Sequence, residues 1–400
     1  MSNGAPPGQA GRGPFDVAVL GGGVIGLAAA WRFALAGVTV AVVDPSPGHG
    51  ASWVAAGMLA PVTEAHFGEE PLSELLLAGA AHWEDFAAEL EAAADMRVGY
   101  RRCGTVVVGL DSSDRRAIDD VLAYQRSLGL DAVRLSASEC RGLEPALSPG
   151  IRGGAHVPGD HQVDNRALLA ALLEACRRAG VEFLARSARR ILLDARGGAS
   201  GAELDDESAV AAGMLVVAAG ARSGSLLGHV GGSVPQVRPV KGHIVRLRGG
   251  PRAPLLSRTV RGLVQGRACY LVPRSDGSLV IGATSEERGF DGSVQVGQVF
   301  ALLDDARRLV PGLDELAFEE AICGFRPATP DNAPYVGWTT TERLAVATGH
   351  YRNGILLAPI TAAALVALYA GAAPPSPMGH FGAERGSHLA LGARGALGEP

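Results

Sequence analysis

Residues 17–26 read VAVLGGGVIG, four apolar residues followed by a glycine-rich turn that leads into the largely apolar segment 27–36. The order of apolar strand, Gly-x-Gly-x-x-Gly turn and helix is typical of a βαβ unit that binds a dinucleotide. A second apolar run, Thr39–Val43, completes the unit. The start of the chain therefore predicts a Rossmann-like domain.

Each glycine of the turn has its own physical reason. Gly21 makes the tight turn, Gly23 lets backbone N–H groups approach a pyrophosphate, and Gly26 lets the helix pack closely on the strand. The helix N-terminus adds a partial positive charge. We therefore predict cofactor contacts at these three glycines and at the intervening Val24 and Ile25.

Asp44 stands at the end of the second strand, where a carboxylate can accept both hydroxyls of an adenosine ribose. An acid at this position disfavours a 2′-phosphate, so FAD or NAD is expected rather than NADP. The alternative is a tight βα turn that binds nothing, because glycine-rich turns also occur for packing alone.

The composition limits the possible functions. A chain of 400 residues with 47% hydrophobic residues can bury a large core and suggests two lobes. A net charge of −5 at pH 7 gives no basic surface of the kind that nucleic acid binding requires. The sequence has no run of eighteen apolar residues, so no membrane-spanning helix is expected. Five scattered cysteines without a Cys-x-x-Cys pair predict neither a disulfide framework nor a zinc site.

The hydrophobic pattern predicts one domain interrupted by another, with an α/β (α+β) fold class. We assign residues 15–92, 155–236 and 324–373 to a Rossmann-like cofactor-binding domain. Residues 93–154 and 237–323 are assigned to an inserted substrate-binding domain with an antiparallel sheet.

Both chain ends have the composition of unstructured segments. Residues 1–14 are rich in glycine and proline and lack the apolar core of a signal peptide. A disordered lead and a cytoplasmic protein are therefore expected. The Gly/Ala/Pro-rich residues 374–400 predict a flexible tail.

Residues 349–359, GHYRNGILLAP, predict a second helix entrance late in the chain. Its backbone N–H groups and helix dipole can stabilise negative charge on a bound ring. The small-residue segment 51–61 can also pass close to such a ring, and the apolar run 214–219 enters a glycine turn at Gly220. We predict that both chain ends build one site, with further cofactor contacts at Ser52, Ala56, Gly57, Met58, Gly220, His350, Tyr351, Arg352, Asn353, Gly354 and Ile355.

Together these motifs resemble a known enzyme family. They comprise Gly21–Gly26, AAGML (55–59), PVKG (239–242), YLVPR (270–274), GAT (282–284), GFRP (324–327) and residues 349–359. Over about residues 15–372 they are similar to the FAD-dependent D-amino acid oxidase family, and most similar to the glycine oxidases of bacterial thiamine biosynthesis.

The resemblance implies a two-lobed fold and noncovalent FAD, and a homo-oligomer is also expected. It also implies oxidative deamination of glycine and other small amines or D-amino acids, with molecular oxygen reoxidising the flavin. The products from glycine would be glyoxylate, ammonia and hydrogen peroxide. The glycine imine would supply a downstream thiazole synthase.

The resemblance also assigns substrate-binding residues. It makes Arg326 the clamp for the substrate carboxylate, adds the Tyr270 hydroxyl to the same carboxylate, and puts Arg352 near both substrate and flavin. The planar fork of arginine suits this role because it gives two parallel charge-assisted hydrogen bonds. The alternative for each arginine is a solvated surface charge. No side chain is assigned as acid or base, and His350 is interpreted as a structural donor rather than a catalytic base.

Two positions depart from the family pattern. Ser285 stands where glycine oxidases carry a bulky apolar residue after Gly-Ala-Thr, which leaves the substrate range open. Cys323 lies where the sarcosine oxidase relatives attach flavin covalently, although an ordinary buried thiol is the favoured interpretation.

Three other functions compete with an amino acid oxidase. A sarcosine oxidase would differ in substrate, and a D-amino acid dehydrogenase would pass electrons to a membrane quinone. A noncatalytic FAD-binding subunit would keep Gly21–Gly26 but would not need Arg326, Tyr270 and Arg352.

Overall fold

The computed structural model describes residues 15–231, 235–250 and 254–385. The predicted lead, residues 1–14, and the last part of the predicted tail, residues 386–400, lie outside the described residues. In the part that is described, no helix combines the length and apolar character needed to cross a membrane.

The helices are α1 (Val24–Leu35), α2 (Ala51–Val54), α3 (Glu70–Ala81), α4 (Trp83–Ala94), α5 (Ser112–Ser127), α6 (Ala137–Leu143), α7 (Asn165–Arg178), α8 (Ser223–Leu227), α9 (Val296–Leu309) and α10 (Gly354–Tyr369). The strands are β1 (Phe15–Leu20), β2 (Val40–Val43), β3 (Met58–Leu59), β4 (Thr105–Gly109), β5 (Val133–Leu135), β6 (Gly154–Val157), β7 (His161–Gln162), β8 (Glu182–Leu184), β9 (Ala188–Leu193), β10 (Ala199–Leu204), β11 (Ala209–Val217), β12 (Arg238–Arg248), β13 (Thr259–Val264), β14 (Arg267–Pro273), β15 (Leu279–Gly282), β16 (Ala317–Ala328), β17 (Tyr335–Trp338) and β18 (Leu344–Thr348).

The first sheet has the order β17-β18-β11-β1-β2-β8. Its pairs from β18 to β8 are parallel, while β17 is antiparallel to β18. Val17 and Val19 pack on one side of β1, within the core that also contains residues of α1, α7 and α10. Ala18 and Leu20 pack on the other side, within the core that also contains residues of β10 and α8. Burial on both faces explains why these strands are continuous apolar runs.

The second sheet has the order β16-β12-β15-β14-β13-β4-β6-β5. Its pairs are antiparallel except for β13 with β4. One face is covered by apolar residues of α9. On the other face, Ile244, Val272 and Val280 form a cluster with Ala56 and Met58 of the segment after α2. A Rossmann-like sheet and a largely antiparallel sheet therefore meet at this segment, which confirms the predicted fold class.

Two of the domain boundaries predicted from the sequence fall inside strands of the second sheet. The boundary between residues 154 and 155 divides β6, and the boundary between residues 323 and 324 divides β16. Arg326 consequently lies on the second sheet. The division into domains stays a prediction. In that division, all of β6 and all of β16 belong with the second sheet.

The prediction of a flexible tail from residue 374 is wrong for residues 374–385. Met378 and Phe381 are buried in the core of the first lobe. Arg385 donates to Asp331 from Nε over 2.9 Å and to the carbonyl of Ala333 from Nη2 over 2.9 Å. Buried apolar side chains and a paired arginine hold this segment, although its composition resembles a disordered tail.

Candidate functional site

Many of the predicted cofactor-binding residues lie at the carboxyl edge of the first sheet, directly after its central strands. Gly21–Gly26 follows β1, Asp44 follows β2, Gly220 follows β11 and His350–Ile355 follows β18. These four strands are adjacent and parallel, so the four segments lie side by side. Helices α1 and α10 pack against each other. The beginning and the end of the folded chain therefore meet at one edge, where α/β sheets bind ligands.

Two glycines of the turn permit close backbone approach. Gly21 has a φ of +118°, and a Cβ there would overlap the carbonyl of Ala218. A Cβ on Gly26 would overlap the carbonyl oxygen of Gly21. The first turn of α1 thus lies directly on the end of β1, which requires glycine at both positions.

The start of α1 is open and has no side-chain cap. Gly23 is the N-cap residue, and a Cβ on it would meet only the Ser52 hydroxyl at 3.5 Å. The N–H of Val24 donates to that hydroxyl over 3.1 Å. A helix N-terminus with a glycine as N-cap residue and open space in front of it fits a pyrophosphate, because the helix provides N–H donors and partial positive charge.

Asp44 organises the loop beside this helix start. Its carboxylate accepts the N–H of Gly22 over 2.7 Å from one oxygen and the N–H of Ser46 over 2.7 Å from the other. An ionised carboxylate has about four acceptor positions, so hydroxyls can still bind to it.

Replacing Asp44 by alanine is expected to weaken FAD binding by about 1.5–3 kcal/mol, the range for a hydrogen bond to a charged group. Titration of the apoprotein with FAD measures this change. Asp16→Ala is the matched control, because Asp16 bonds Thr39 at the opposite edge of the same sheet. An unchanged FAD dissociation constant in Asp44→Ala would show that the carboxylate does not contact the cofactor.

The entrance to α10 is fixed to the second sheet. Tyr351 adopts a left-handed conformation with φ of +48°, and its N–H donates to the carbonyl of Pro327 over 3.0 Å. Asn353 is the N-cap residue and provides no side-chain cap. His350 is 2% exposed, its Nε2 lies 3.0 Å from the Thr361 hydroxyl, and burial lowers its pKa to about 3. His350 is therefore neutral near pH 7, and its ring is hydrogen-bonded to Thr361 of α10.

The segment Ser52–Met58 lies between the two sheets. Ala56 and Met58 contact the apolar face of the second sheet. Gly57 has a φ of +74°, and its carbonyl accepts the N–H of Val163 over 2.8 Å. These contacts place the predicted flavin-facing segment at the junction of the lobes.

The structure brings Tyr270 and Arg326 together on the second sheet. They are hydrogen-bond partners, and Arg326 Nη1 also donates to the carbonyl of Thr284 over 3.0 Å. Cβ atoms on Gly242 and Gly282 would overlap the guanidinium and the phenol respectively. Burial raises the pKa of Tyr270 despite the nearby arginine, so the phenol keeps its proton at neutral pH. The pair thus presents a planar cation and an O–H donor.

Arg352 belongs to a neighbouring group around Glu64. Its Nη1 lies 3.8 Å from Glu64, whose other carboxylate oxygen pairs with Arg261 at 2.7 Å. Burial disfavours the Glu64 charge, but Arg261, a hydrogen bond from His66 and Arg352 outweigh this and hold the Glu64 pKa well below its usual range. A cavity of about 300 Å³ opens here, lined in part by Glu64, Arg352, Tyr351 and Asn353.

Sequence reasoning missed Glu64 and Arg261. Arg261 is the cross-strand partner of Tyr270, so it connects the Glu64 group to the Tyr270 and Arg326 pair. In the sequence, Arg261 is one arginine in a short strand and Glu64 one acid in a loop. The available signal was a charge between Val260 and Gly262 in a buried strand, which alone does not indicate a partner.

Cys323 faces away from the predicted substrate clamp. Successive strand residues point to opposite faces, so Cys323 and Arg326 lie on different faces of β16. A Cβ on Gly324 would meet Val54 of α2 at 3.0 Å, so the Arg326 face is the one turned to the cofactor lobe. The Cys323 thiol donates to the carbonyl of Gly292 over 3.3 Å, and burial raises its pKa. This geometry disfavours the alternative of covalent flavin attachment through Cys323.

Comparison with known proteins agrees with this architecture. The family described as FAD dependent oxidoreductase (DAO) matches residues 16–368. A glycine oxidase from Geobacillus kaustophilus is 36% identical over 351 residues, which cover 87% of this chain and 90% of that protein. The crystal structure of glycine oxidase from Geobacillus kaustophilus superposes with a TM-score of 0.85 at 34% identity, covering 93% of this chain and 99% of that chain.

A longer relative matches the chain over part of its length. The bifunctional protein ThiO/ThiG of Trichormus variabilis is 35% identical over 349 residues, which cover 87% of this chain and 51% of that protein. The chain thus spans about half the length of this curated relative. The matches confirm the predicted family resemblance and FAD as the cofactor. This chain belongs to the DAO family of FAD-dependent oxidoreductases.

Proposed function

We propose that this chain oxidises glycine and other small amines or D-amino acids, releasing a 2-oxo acid, ammonia and hydrogen peroxide. The observation that carries the proposal is the pair of Tyr270 and Arg326, which presents two donors on the sheet face turned to the cofactor lobe. The likeness to glycine oxidases over nearly their whole length supports it.

The proposed chemistry needs substrate placement more than a catalytic acid or base. Arg326 and the Tyr270 hydroxyl would bind the substrate carboxylate and so fix the α-carbon. FAD bound at the carboxyl edge of the first sheet would supply a hydride acceptor for that carbon and a route for the electrons to oxygen. The uncapped start of α10 gives partial positive charge at the same sheet edge. Burial lowers the pKa of His350 to about 3, which makes its neutral ring a weak proton acceptor, and its Nε2 is bonded to Thr361, so we assign His350 no role as a base.

Oxygen uptake by the purified protein tests the proposal. Glycine, sarcosine and D-alanine are offered in turn, and glycine is expected to support oxygen consumption with formation of glyoxylate and peroxide. Uptake with sarcosine alone would favour a sarcosine oxidase. Flavin bleaching without oxygen uptake would favour a D-amino acid dehydrogenase, and no bleaching with any amine would favour a noncatalytic FAD-binding subunit. Ser285 is exposed beside the Arg326 acceptor Thr284, so its effect on substrate size is part of this test.

The partner and the location are proposals of the same kind. A relative that combines ThiO and ThiG in one chain supports a thiazole synthase as the protein that receives the glycine imine. We also propose that the protein forms a homo-oligomer and is located in the cytoplasm. Size-exclusion chromatography with light scattering checks the oligomer, and a single monomer peak would contradict it.

The purified protein is expected to be yellow and to release all its FAD into the supernatant after acid precipitation. The reason is that Cys323 faces away from the clamp and its thiol is bonded to Gly292. Cys323→Ser should carry the same amount of FAD, measured by absorbance. Colour that stays with the parent protein and is lost in the serine variant would establish covalent attachment instead.

A further inference from the structure

Two arginines of the second sheet are buried without a role in substrate binding. Arg246 on β12 is 7% exposed, and Arg274 directly after β14 is 4% exposed. Both donate over 3.1 Å to the side-chain oxygen of Asn165, the fully buried first residue of α7. A charge inside the apolar run Val245-Arg246-Leu247 is costly unless it is paired and hydrogen-bonded, so these contacts need an explanation.

The same three side chains bond the main chain of the segment 52–56. Arg274 Nη2 donates to the carbonyl of Ala56 over 2.7 Å, and Arg246 Nη2 lies 3.4 Å from the carbonyl of Ala55. Asn165 Nδ2 donates to the carbonyls of Ser52 and Trp53 over 2.8 and 2.9 Å. The last carbonyls of the one-turn helix α2 have no partner within the helix. Side chains from α7 and the second sheet therefore provide its C-terminal cap.

Two carboxylates offset part of the positive charge of this group. Arg246 Nε lies 3.3 Å from Glu320, which also pairs with Arg166. Arg274 Nε lies 3.7 Å from Asp164. Two carboxylates thus face three guanidinium groups. The terminal nitrogens of Arg246 and Arg274 bond the side-chain oxygens of Gln162 and Asn165 as well as main-chain oxygens. We expect these ion pairs and hydrogen bonds to hold the main chain of segment 52–56 in one geometry.

Segment 52–56 is hydrogen-bonded directly to the start of α1, where the pyrophosphate of the cofactor is expected to bind. The Ser52 hydroxyl accepts the N–H of Val24 in the first turn of α1. Ala56 lies in the segment that passes between the sheets. A shift of the carbonyls of residues 52–56 would therefore also move the hydroxyl that bonds the start of α1.

We infer that Arg246, Arg274 and Asn165 are positioning residues for FAD, because they hold segment 52–56 in the conformation that the cofactor binds. FAD affinity then depends on side chains of the second sheet, outside the Rossmann-like sheet. The inference requires FAD binding and is independent of the proposed substrate and reaction.

Asn165→Asp is the decisive variant. The change keeps the shape and an oxygen acceptor for both arginines, but replaces the donor to Ser52 and Trp53 by a second oxygen. FAD titration of the full-length apoprotein is expected to show a dissociation constant raised by about tenfold or more, the size expected when a buried carbonyl loses its donor. Circular dichroism of the bound flavin in the visible range should change as well, since the ring would sit differently.

Arg274→Lys is the second variant. Lysine keeps the charge but cannot bond Ala56, Asn165 and Val163 at the same time, as the arginine fork does. We expect a similar rise in the FAD dissociation constant. Arg307→Lys is the matched control, because Arg307 forms an exposed pair with Asp314 in the same lobe and should leave FAD binding unchanged.

Thermal unfolding of the apoproteins separates positioning from general stability. A raised dissociation constant with apoprotein melting close to the parent supports the inference. A parental dissociation constant in Asn165→Asp overturns it, even if the apoprotein melts earlier, because the network would then be structural only. Asn165→Asp decides the question if Arg274→Lys does not fold.

Discussion

Arg326→Ala is expected to raise the apparent KM for glycine by roughly 30- to 5000-fold, because truncating one partner of a buried charge pair costs about 2–5 kcal/mol. The guanidinium shares the face of Tyr270, and Gly242 leaves the space it occupies. Steady-state oxygen uptake measures the effect. FAD content should stay nearly normal, since the bonds that Arg326 loses are to Tyr270 and to the carbonyl of Thr284, and neither involves the glycine turn at residues 21–26.

Three controls separate a carboxylate clamp from a general effect. Arg326→Lys should recover little activity, because a point charge cannot reproduce the bidentate fork. An amine without a carboxylate should be a poor substrate of the parent and should lose much less on mutation. Arg307→Ala removes an exposed arginine from the same lobe and should leave kinetics unchanged. Normal glycine kinetics in Arg326→Ala would show that Arg326 does not bind the substrate. The proposed function would then lose most of its support.

Gly26→Ala is expected to destabilise the protein by about 1–3 kcal/mol and to weaken FAD binding, because overpacking a close backbone contact costs that much. The added Cβ would overlap the carbonyl oxygen of Gly21, so α1 must move away from β1. That movement also displaces the open N-terminus of α1. Denaturant unfolding and FAD titration measure the two effects.

Gly297→Ala is the matched control for this change. Gly297 also lies in the first turn of a helix, α9, and a Cβ there meets nothing within 4 Å. Alanine should therefore gain up to about 1 kcal/mol from its better helix propensity. If Gly26→Ala were as stable as the parent and bound FAD normally, close packing would not be the reason for this glycine.

Local sequence patterns were sufficient for the fold class and for a dinucleotide cofactor, whereas the choice of FAD over NAD came from the family resemblance. Strand, turn and helix around Gly21–Gly26 are encoded by neighbouring residues, because glycine conformation and apolar runs act over a few positions. The same applies to Asp164, which caps α7 by accepting the N–H groups of Arg166 and Ala167. Such features need no knowledge of distant contacts. The role of each predicted site residue stays a prediction until the variants are measured.

Tertiary contacts decided the rest. Glu64 meets Arg261 across 197 positions of the chain, and Arg274 meets Ala56 across 218. The pairing of β16 with β12 decides on which face of the sheet Cys323 lies. Burial of Met378 and Phe381 holds residues 374–385 in place. Composition could not reveal these features, because each depends on which surfaces come together after folding. A buried charge in a strand indicates that a partner exists, and only the packed structure identifies that partner.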